Sequence, residues 1–179
     1  MNQSMLDRLR GALRVLNGTI DLGSMIPVEG YWDVKVVRAD GTIEERTLKN
    51  IVTAAGLNRL ANRAIGETNT PLYVLGVGTV TAAASLGSTN FGEVANGRKA
   101  ASTIVQSREW IALTATWAGN TDSMTGIVLD SASILCHASS GQGAVINMVN
   151  SLNTTLAASD FLNLTCRIRV GSHDLSHST

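Results

Sequence analysis

Charged residues and aromatic residues are both scarce in this 179-residue chain. Only 16% of the residues are Asp, Glu, Lys or Arg, and only 4% are Phe, Trp or Tyr. The 14 basic residues balance the 14 acidic ones, so the chain lacks the positive surplus with which proteins displace counterions from phosphates. We therefore expect no nucleic-acid partner. With 44% hydrophobic residues, the chain is also too apolar to be disordered.

Long apolar runs and disulfide frameworks are missing as well. No run approaches the roughly 18 residues that a membrane-spanning helix requires, and Asp7, Arg8 and Arg10 interrupt the segment where a secretory signal would lie. We expect no membrane partner, and folding in a cytoplasm. Two cysteines, Cys136 and Cys166, are too few for a disulfide framework. We expect two buried thiols; a single bond between them is the alternative.

What the chain does have is typical of a structural module. The combination of few charges and many apolar residues suits a protein that covers much of its surface against other chains. Glycine is common, with 17 residues, whereas there are only 2 prolines. This composition favours an all-β module over an enzyme built around a deep pocket, and the length predicts about one domain.

The first 29 residues are predicted to form an N-terminal arm. Residues 4–17 favour a short amphipathic helix with Ser4 as its N-cap, and residues 18–29 an extended strap. One apolar stripe recurs at helical spacing and consists of Leu6, Leu9, Leu13 and Leu16. A lone helix of this length is marginal in water, so it must dock on its own domain or on a neighbour. We predict that these four leucines bind a partner chain.

Residues 30–171 are predicted to form one β domain, followed by a polar tail over residues 172–179. A helix is predicted over residues 50–66, with Thr53 as its N-cap, and Asp40-Gly41 signals a hairpin. Short strands are predicted at residues 31–38, 43–48, 72–78, 100–106, 109–117, 126–129, 133–137, 144–149 and 161–170. This pattern indicates a mainly β fold: a β-sandwich or jelly-roll-like module with one short internal helix and an N-terminal helical arm.

No catalytic or metal-binding arrangement follows from the residue spacing. Cys136 and His137 are neighbours and would point to opposite faces of a strand, whereas a thiolate–imidazole pair needs them side by side. The Gly76-Val77-Gly78 segment lacks the third glycine of a dinucleotide-binding loop. His173 and His177 lie in a Ser-rich tail, where a mobile segment is expected rather than a metal site. We expect a non-enzymatic protein without a cofactor.

The three tryptophans and one basic pair are the remaining candidates for a site. Trp32, Trp110 and Trp117 are a possible platform for a sugar, but such residues are more often core and interface anchors because each buries a large apolar area. Trp32 is predicted to be an interface anchor. Arg98-Lys99 follows Asn96-Gly97 and is predicted to be a solvated turn or a rim contact to a partner, with Arg98 as the contacting residue.

The segment from Gly30 to Asn58 resembles a pattern of small tailed-bacteriophage virion structural proteins. That pattern is a strand, an Asp-Gly hairpin and a helix start of the form Asn-Leu-Val-Thr-x-x-Gly-Leu-Asn, which appears here as Asn50-Ile51-Val52-Thr53-Ala54-Ala55-Gly56-Leu57-Asn58. Ile51 departs from the usual Leu. Weaker matches follow in order at residues 72–79, 98–100, 126–129 and 159–164, so the resemblance covers about residues 30–170 and leaves out residues 1–29.

The resemblance implies a non-enzymatic virion component, assembled in the host cytoplasm. The leading interpretation is a capsid decoration or cement protein that binds across capsid subunits. Its partners would be the major capsid protein or other virion proteins, and further copies of itself in a dimer or trimer. A neck or tail adaptor, or a short tail-fibre protein, is the first alternative. A carbohydrate-binding module that uses the three tryptophans is the second.

Overall fold

The computed structural model describes residues 15–16, 19–20, 28–64, 74–107 and 110–170. These ranges contain one helix and a series of strands. The elements are β1 (Val15–Leu16), β2 (Thr19–Ile20), β3 (Val28–Val37), β4 (Ile43–Lys49), β5 (Ile51–Val52), α1 (Ala54–Ala64), β6 (Val74–Gly78), β7 (Glu93–Ala100), β8 (Thr103–Ser107), β9 (Trp110–Ala118), β10 (Val128–Leu135), β11 (Val145–Thr155) and β12 (Phe161–Val170).

Two antiparallel five-stranded sheets make up the body of the protein. The first sheet has the strand order β4-β3-β12-β9-β8, and the second has the order β5-β11-β10-β6-β7. At the centre of the first sheet, β3 and β12 pair along their whole length, from Val28 opposite Val170 to Val37 opposite Phe161. The prediction of a mainly β fold with one short internal helix is therefore confirmed.

Side chains from both sheets meet in one hydrophobic core. Along β3, fully buried residues alternate with half-buried ones, as the period of two of a strand requires when one face is covered. Burying each large aliphatic side chain stabilises the fold by about 1.5–3 kcal/mol. The core includes Trp32, Val34 and Val36 of β3, Leu113, Ala115 and Trp117 of β9, Leu162, Leu164 and Cys166 of β12, Leu75 and Val77 of β6, Leu129, Ala132 and Ile134 of β10, and Ile146, Val149 and Leu152 of β11.

Helix α1 is anchored to the edge of β11 by the residue that precedes it. The Thr53 hydroxyl accepts a hydrogen bond from the Gly56 N–H at 3.1 Å and donates one to the Val145 carbonyl at 2.6 Å. The Thr53 N–H also donates to the Ile146 carbonyl at 3.0 Å. Thr53 is thus the N-cap that the sequence predicts, and it also continues the hydrogen bonding of β5 with β11.

Two glycines allow close approach at this junction. A Cβ atom on Gly56 would lie 2.1 Å from the Ile146 carbonyl oxygen, so only glycine lets α1 lie this close to β11. A Cβ atom on Gly30 would lie 1.8 Å from the Asn50 side-chain oxygen. The Asn-Ile-Val-Thr-x-x-Gly segment that carries the family resemblance is therefore the segment that joins the helix to both sheets.

Several strand boundaries differ from the prediction, and one strand was missed; β11, for example, ends at Thr155 rather than at residue 149. The helix was predicted to begin at residue 50, but Ile51–Val52 form β5 and pair with β11, because the helix starts only after its N-cap. The two strands predicted at 126–129 and 133–137 are one strand, β10. Strand β7 was not predicted because Asn96 and Gly97, both poor strand formers, interrupt its alternation.

The structure describes only two residues of the predicted arm helix, and both belong to a strand instead. Val15 and Leu16 form β1, which pairs with Thr19–Ile20 across a two-residue connection. That connection has the sequence Asn17-Gly18, which is the strongest short hairpin signal and prevails over the end of the helical stripe. The rest of the predicted helix, including Leu6, Leu9 and Leu13, lies outside the described residues, as does the predicted tail over residues 172–179.

The Gly56→Ala substitution tests whether close approach at α1 is required. In an ordinary helix interior this change stabilises by roughly 1 kcal/mol. Here we expect it to lower the free energy of unfolding by about 2–3 kcal/mol, because the added methyl group overlaps the Ile146 carbonyl oxygen. Urea denaturation followed by circular dichroism measures the change.

Asn58→Ala is the matched control on the same helix. Asn58 is exposed, so alanine there should leave the free energy of unfolding unchanged or raise it slightly. An equal response of both variants would show that helix propensity, rather than contact with β11, decides the effect at Gly56.

Candidate interaction surface

The outer edge of each sheet is the part of this fold most prone to bind another chain. An edge strand presents unpaired backbone N–H and C=O groups, which natural proteins protect with charges, bulges or short strands. Strand β4 carries Glu44, Glu45, Arg46 and Lys49, and β5 is only two residues long. Strand β7 contains charges and a register shift opposite Gly76 and Gly78. Three of the four edges in the two large sheets are therefore protected.

Strand β8 is the edge that lacks these protections. Its sequence, Thr-Ile-Val-Gln-Ser, has no charge, proline or glycine. It pairs with β9 in an unbroken register from Thr103 opposite Thr114 to Ser107 opposite Trp110. Its outer edge has no strand partner within the described ranges. Val105 is 53% exposed on one face, and Ile104 is 48% exposed on the other.

The apolar surface continues from β8 onto the inner face of β9. Ile104 lies opposite Leu113, which is buried, whereas the next inward residue of β9, Ile111, is 39% exposed. Ile111 in turn lies opposite Ile168 of β12. This end of the inner face thus exposes isoleucine side chains that the second sheet leaves uncovered. Ile104, Val105 and Ile111, together with the β8 edge, are called here the β8 surface.

The outer face of the first sheet is polar and internally paired. Arg167 donates to the Asp33 carboxylate at 2.7 Å, and so does the Thr47 hydroxyl at 2.8 Å. Lys35 forms an ion pair with Glu45 at 2.8 Å. Strands β3, β4 and β12 line a shallow groove of about 410 Å³ on this face. Because its polar groups already pair with one another, the groove resembles a solvated sheet face more than a ligand site.

Aromatic and cationic side chains lie together at the end of the same outer face. The Tyr31 and Trp110 ring centroids are 6.4 Å apart. The Arg167 guanidinium lies 6.0 Å from the Tyr31 centroid, and the Arg169 guanidinium lies 5.7 Å from that of Trp110. Such cation–π contacts order the long arginine side chains. They form the outer-face boundary of the β8 surface, since Trp110 lies opposite Ser107.

Arg98 is a buried crosslink rather than a solvated turn or a rim contact. Its side chain is 7% exposed and binds Glu93 in a bidentate pair at 2.7 and 2.8 Å. It also donates to the His137 and Gln142 carbonyls, both at 2.7 Å. The prediction of an exposed Arg98 is wrong because its long side chain folds back over β7 and reaches Glu93 on the same strand. There it holds the loop between β10 and β11, and it has little surface left for a partner.

Glu93 completes this cluster and is held in its charged form. Burial alone raises the pKa of Glu93, but hydrogen bonds from Arg98 and from the Gly141 N–H outweigh it and lower the pKa below its usual 4.5. The charged pair therefore contributes stability that is lost as the pH falls through this lowered pKa.

A second arginine–carboxylate pair closes the opposite end of β11. Asp160 is buried and accepts hydrogen bonds from the Ala157 N–H at 2.9 Å, the Ala39 N–H at 3.0 Å and Arg38 at 2.9 Å. These contacts, led by the Ala157 N–H, lower the pKa of Asp160. Arg38 also donates to the Thr155 carbonyl at 2.7 Å. This cluster ties the hairpin after β3 to the chain between β11 and β12.

The two cysteines are not joined. Both Cys136 and Cys166 are free thiols, which agrees with the expectation of unpaired cysteines, although Cys136 is only half-buried. Cys166 lies on the apolar face of β12, and burial raises its pKa to about 12. The Asn147 side chain donates to its sulfur at 3.0 Å, which links β11 of the second sheet to β12 of the first.

The tryptophans do not form a joint platform. Trp32 and Trp117 are fully buried in the core, and the Trp117 indole N–H donates to the Gly97 carbonyl at 3.1 Å. The prediction of Trp32 as an interface anchor is therefore wrong, because its inward position on β3 leaves no surface for a partner. Only Trp110 is half-exposed.

Among the predicted site residues whose side chains the structure describes, Trp32 and Arg98 do not meet at one surface, because Trp32 is buried in the core and Arg98 binds Glu93. Three of the four arm leucines lie outside the described residues, and Leu16 is placed by its backbone alone. The β8 surface was missed, although residues 100–106 and 109–117 were predicted as a hairpin. The sequence feature that could have indicated it is the absence of charge from Thr103 to Ser107, because the other edge strand of the same sheet is charged from Glu44 to Lys49.

Comparisons with family models, with curated proteins and with solved structures find no match to this chain. In the described ranges, no three His, Cys, Asp or Glu residues lie close enough together to hold a metal ion. Helix α1 is too short to cross a membrane, and no other helix occurs among the residues described.

Glu93→Gln tests the contribution of the buried pair. Removing the carboxylate charge leaves Arg98 buried with a weaker partner, and we expect the free energy of unfolding at pH 7 to fall by roughly 3 kcal/mol. The difference from the wild type should shrink as the pH drops below 4.5, the ordinary Glu value, because Glu93 is then protonated first in the unfolded chain and, at still lower pH, in the folded protein. Urea denaturation at a series of pH values measures this.

Glu45→Gln provides the control for the general effect of removing a carboxylate. Glu45 pairs with Lys35 on the exposed face, and surface pairs of this kind contribute well under about 1 kcal/mol. A loss at Glu93 no larger than the loss at Glu45 would contradict the assignment of the Glu93–Arg98 pair as a buried crosslink.

Proposed function

We propose that this protein is a non-enzymatic structural protein of a bacteriophage virion, and that it acts as a capsid decoration or cement protein. The observation that carries the proposal is the β8 surface: a flat, uncharged edge strand with exposed Ile104, Val105 and Ile111. Such a surface favours aggregation of an isolated protein, whereas it provides contact area in a protein that binds other chains.

The proposed architecture is a β-sandwich module of the jelly-roll kind. Two observations support it: residues of both sheets meet in one core, and polar contacts bridge the sheets, from Trp117 to Gly97 and from Arg46 to Thr154 at 2.7 Å. A rigid module of this type suits a role in which shape and contact, rather than chemistry, hold subunits together.

The resemblance to small tailed-phage virion proteins supports the proposed location in a virion. Its most specific residues, Asn50 to Asn58, include Thr53 and Gly56, whose roles are to cap α1 and to seat it on β11. The motif therefore specifies the scaffold and contains no chemical group that acts on a substrate. The major capsid protein and other virion proteins are the proposed partners, together with further copies of the chain.

The N-terminal arm is proposed to contact a neighbouring capsid subunit. Each leucine of the stripe that becomes buried would contribute up to about 1.5–3 kcal/mol, reduced by the cost of ordering the arm. Val28, the first residue of β3, lies opposite Val170, at the same end of the first sheet as Ser107 of β8, which lies opposite Trp110.

Copy number tests the virion proposal directly. Purified particles should contain hundreds of copies, measured by densitometry against the major shell protein, because a decoration protein follows the shell symmetry. A count of about six to eighteen would favour the neck or tail alternative instead. No detectable copies in purified particles would contradict both versions of the virion proposal.

The arm is tested with a double substitution in the full chain. Leu9→Asp combined with Leu13→Asp should weaken attachment to particles by about tenfold or more, because charge on the stripe opposes its burial. Arg10→Gln combined with Arg14→Gln changes residues off the stripe and is the control. Equal binding of both double variants in a co-sedimentation titration would rule out the stripe as the attachment surface.

A further inference from the structure

We propose that β8 pairs with the β8 strand of a second copy, antiparallel across a two-fold axis, so that two first sheets join into one continuous ten-stranded sheet. The inference deepens the self-association part of the proposed function and specifies a dimer. It concerns the protein alone in solution, so its test does not require a capsid.

The strand is self-complementary when it pairs with itself. A two-fold axis through Val105 places Val105 opposite the partner's Val105 and Ile104 opposite the partner's Gln106, and all five residues find a partner. Because β8 contains no charged residue, this pairing brings no like charges together. Because the axis is perpendicular to the sheet, the inner faces of both copies stay on the same side, which keeps the buried set of each sheet in register.

The other edges of the two large sheets suit this contact less well than β8 does. Pairing β4 with itself about its central residue, Arg46, would bring two arginines opposite each other, and like charges directly opposite destabilise a sheet. The register shift in β7 bends that edge away from a regular ladder. Edge β5 is too short, at two residues.

A second copy suits the β8 edge better than the chain's own arm does. The strands that the structure describes in the arm, β1 and β2, are only two residues long and already pair with each other. Five paired residues span only about 16 Å, so the contact is small and the dimer should form weakly in solution. Binding of both copies to a common surface would strengthen it by raising their effective concentration.

The first experiment disrupts the edge in the full-length protein. In sedimentation equilibrium, the apparent mass of the wild type should rise with concentration from 18.8 kDa toward twice that value. Val105→Lys should weaken the dimer by about tenfold or more, because two lysines would face each other across the axis. Ile43→Lys is the matched control, since Ile43 is also 53% exposed but lies on β4; it should dimerise like the wild type.

The second experiment fixes the register. In a Val105→Cys variant, the two new thiols lie directly opposite each other, where Cα separations of about 4.5–5.5 Å permit a disulfide. In Thr103→Cys the new residues are four positions apart along the strands, about 13 Å. We expect mild oxidation to crosslink Val105→Cys at least about tenfold faster than Thr103→Cys or the wild type, as seen on non-reducing gels.

Three results would overturn the proposal: a wild type that remains monomeric at every concentration, equal loss of dimer in Val105→Lys and Ile43→Lys, or equal crosslinking at residues 103 and 105. None of these results bears on copy number in particles or on the arm leucines. Failure of the β8 dimer can therefore be told apart from failure of the virion proposal.

Discussion

The outer strand of every sheet carries backbone N–H and C=O groups that need partners from outside the sheet. How each edge meets this requirement determines where another chain can bind. Beside β11 the partners come from the same chain: β5 pairs with β11, and the Thr53 N–H donates to the Ile146 carbonyl. Charged side chains protect the β4 edge, and a register shift interrupts the β7 edge. Only β8 lacks a device of this kind among the edges of the two large sheets, and so it is the edge from which an assembly could grow.

The two arginine–carboxylate clusters make a different contribution. Arg98 with Glu93 and Arg38 with Asp160 lie at opposite ends of β11, where the chain turns between strands. Arg98 also donates to the backbone carbonyls of His137 and Gln142, and Arg38 donates to that of Thr155. Buried and partly buried pairs of this kind add little net stability compared with apolar packing, but they penalise any other path of the loop. The two clusters fix the path of the chain at the ends of β11, whereas the hydrophobic core stabilises the packing of one sheet on the other.

Much of the fold follows from local patterns. The last strand was predicted with its observed limits, from Phe161 to Val170, because its apolar and polar residues alternate without interruption. Thr53 was identified as an N-cap because hydroxyl residues before a helix satisfy free N–H groups. By contrast, β7 contains Asn96 and Gly97, and only its pairing with β6 makes it a strand. At Val15 and Leu16 a hairpin signal prevails over a helical stripe.

The interaction surface was harder to predict from sequence. Whether Trp32 faces the core or a partner depends on which side of β3 the second sheet covers, and periodicity alone does not fix that side. Arg98 looked solvated because its long side chain can fold back over several residues. The edge position of β8 depends on strand order, which results from pairings between distant segments. An uncharged strand becomes a candidate interface only once the sheet is known to stop there.

The full-length pairing of β3 with β12 has a practical consequence for anyone attaching cargo to this protein. Val28 and Val170 are neighbours at one pole of the first sheet. The Asp40-Gly41 turn lies at the other pole, about 30 Å away along ten strand residues. A peptide inserted in that exposed turn would project away from the pole that holds Val28 and away from β8. Display of a foreign epitope there would leave both proposed contacts free to form.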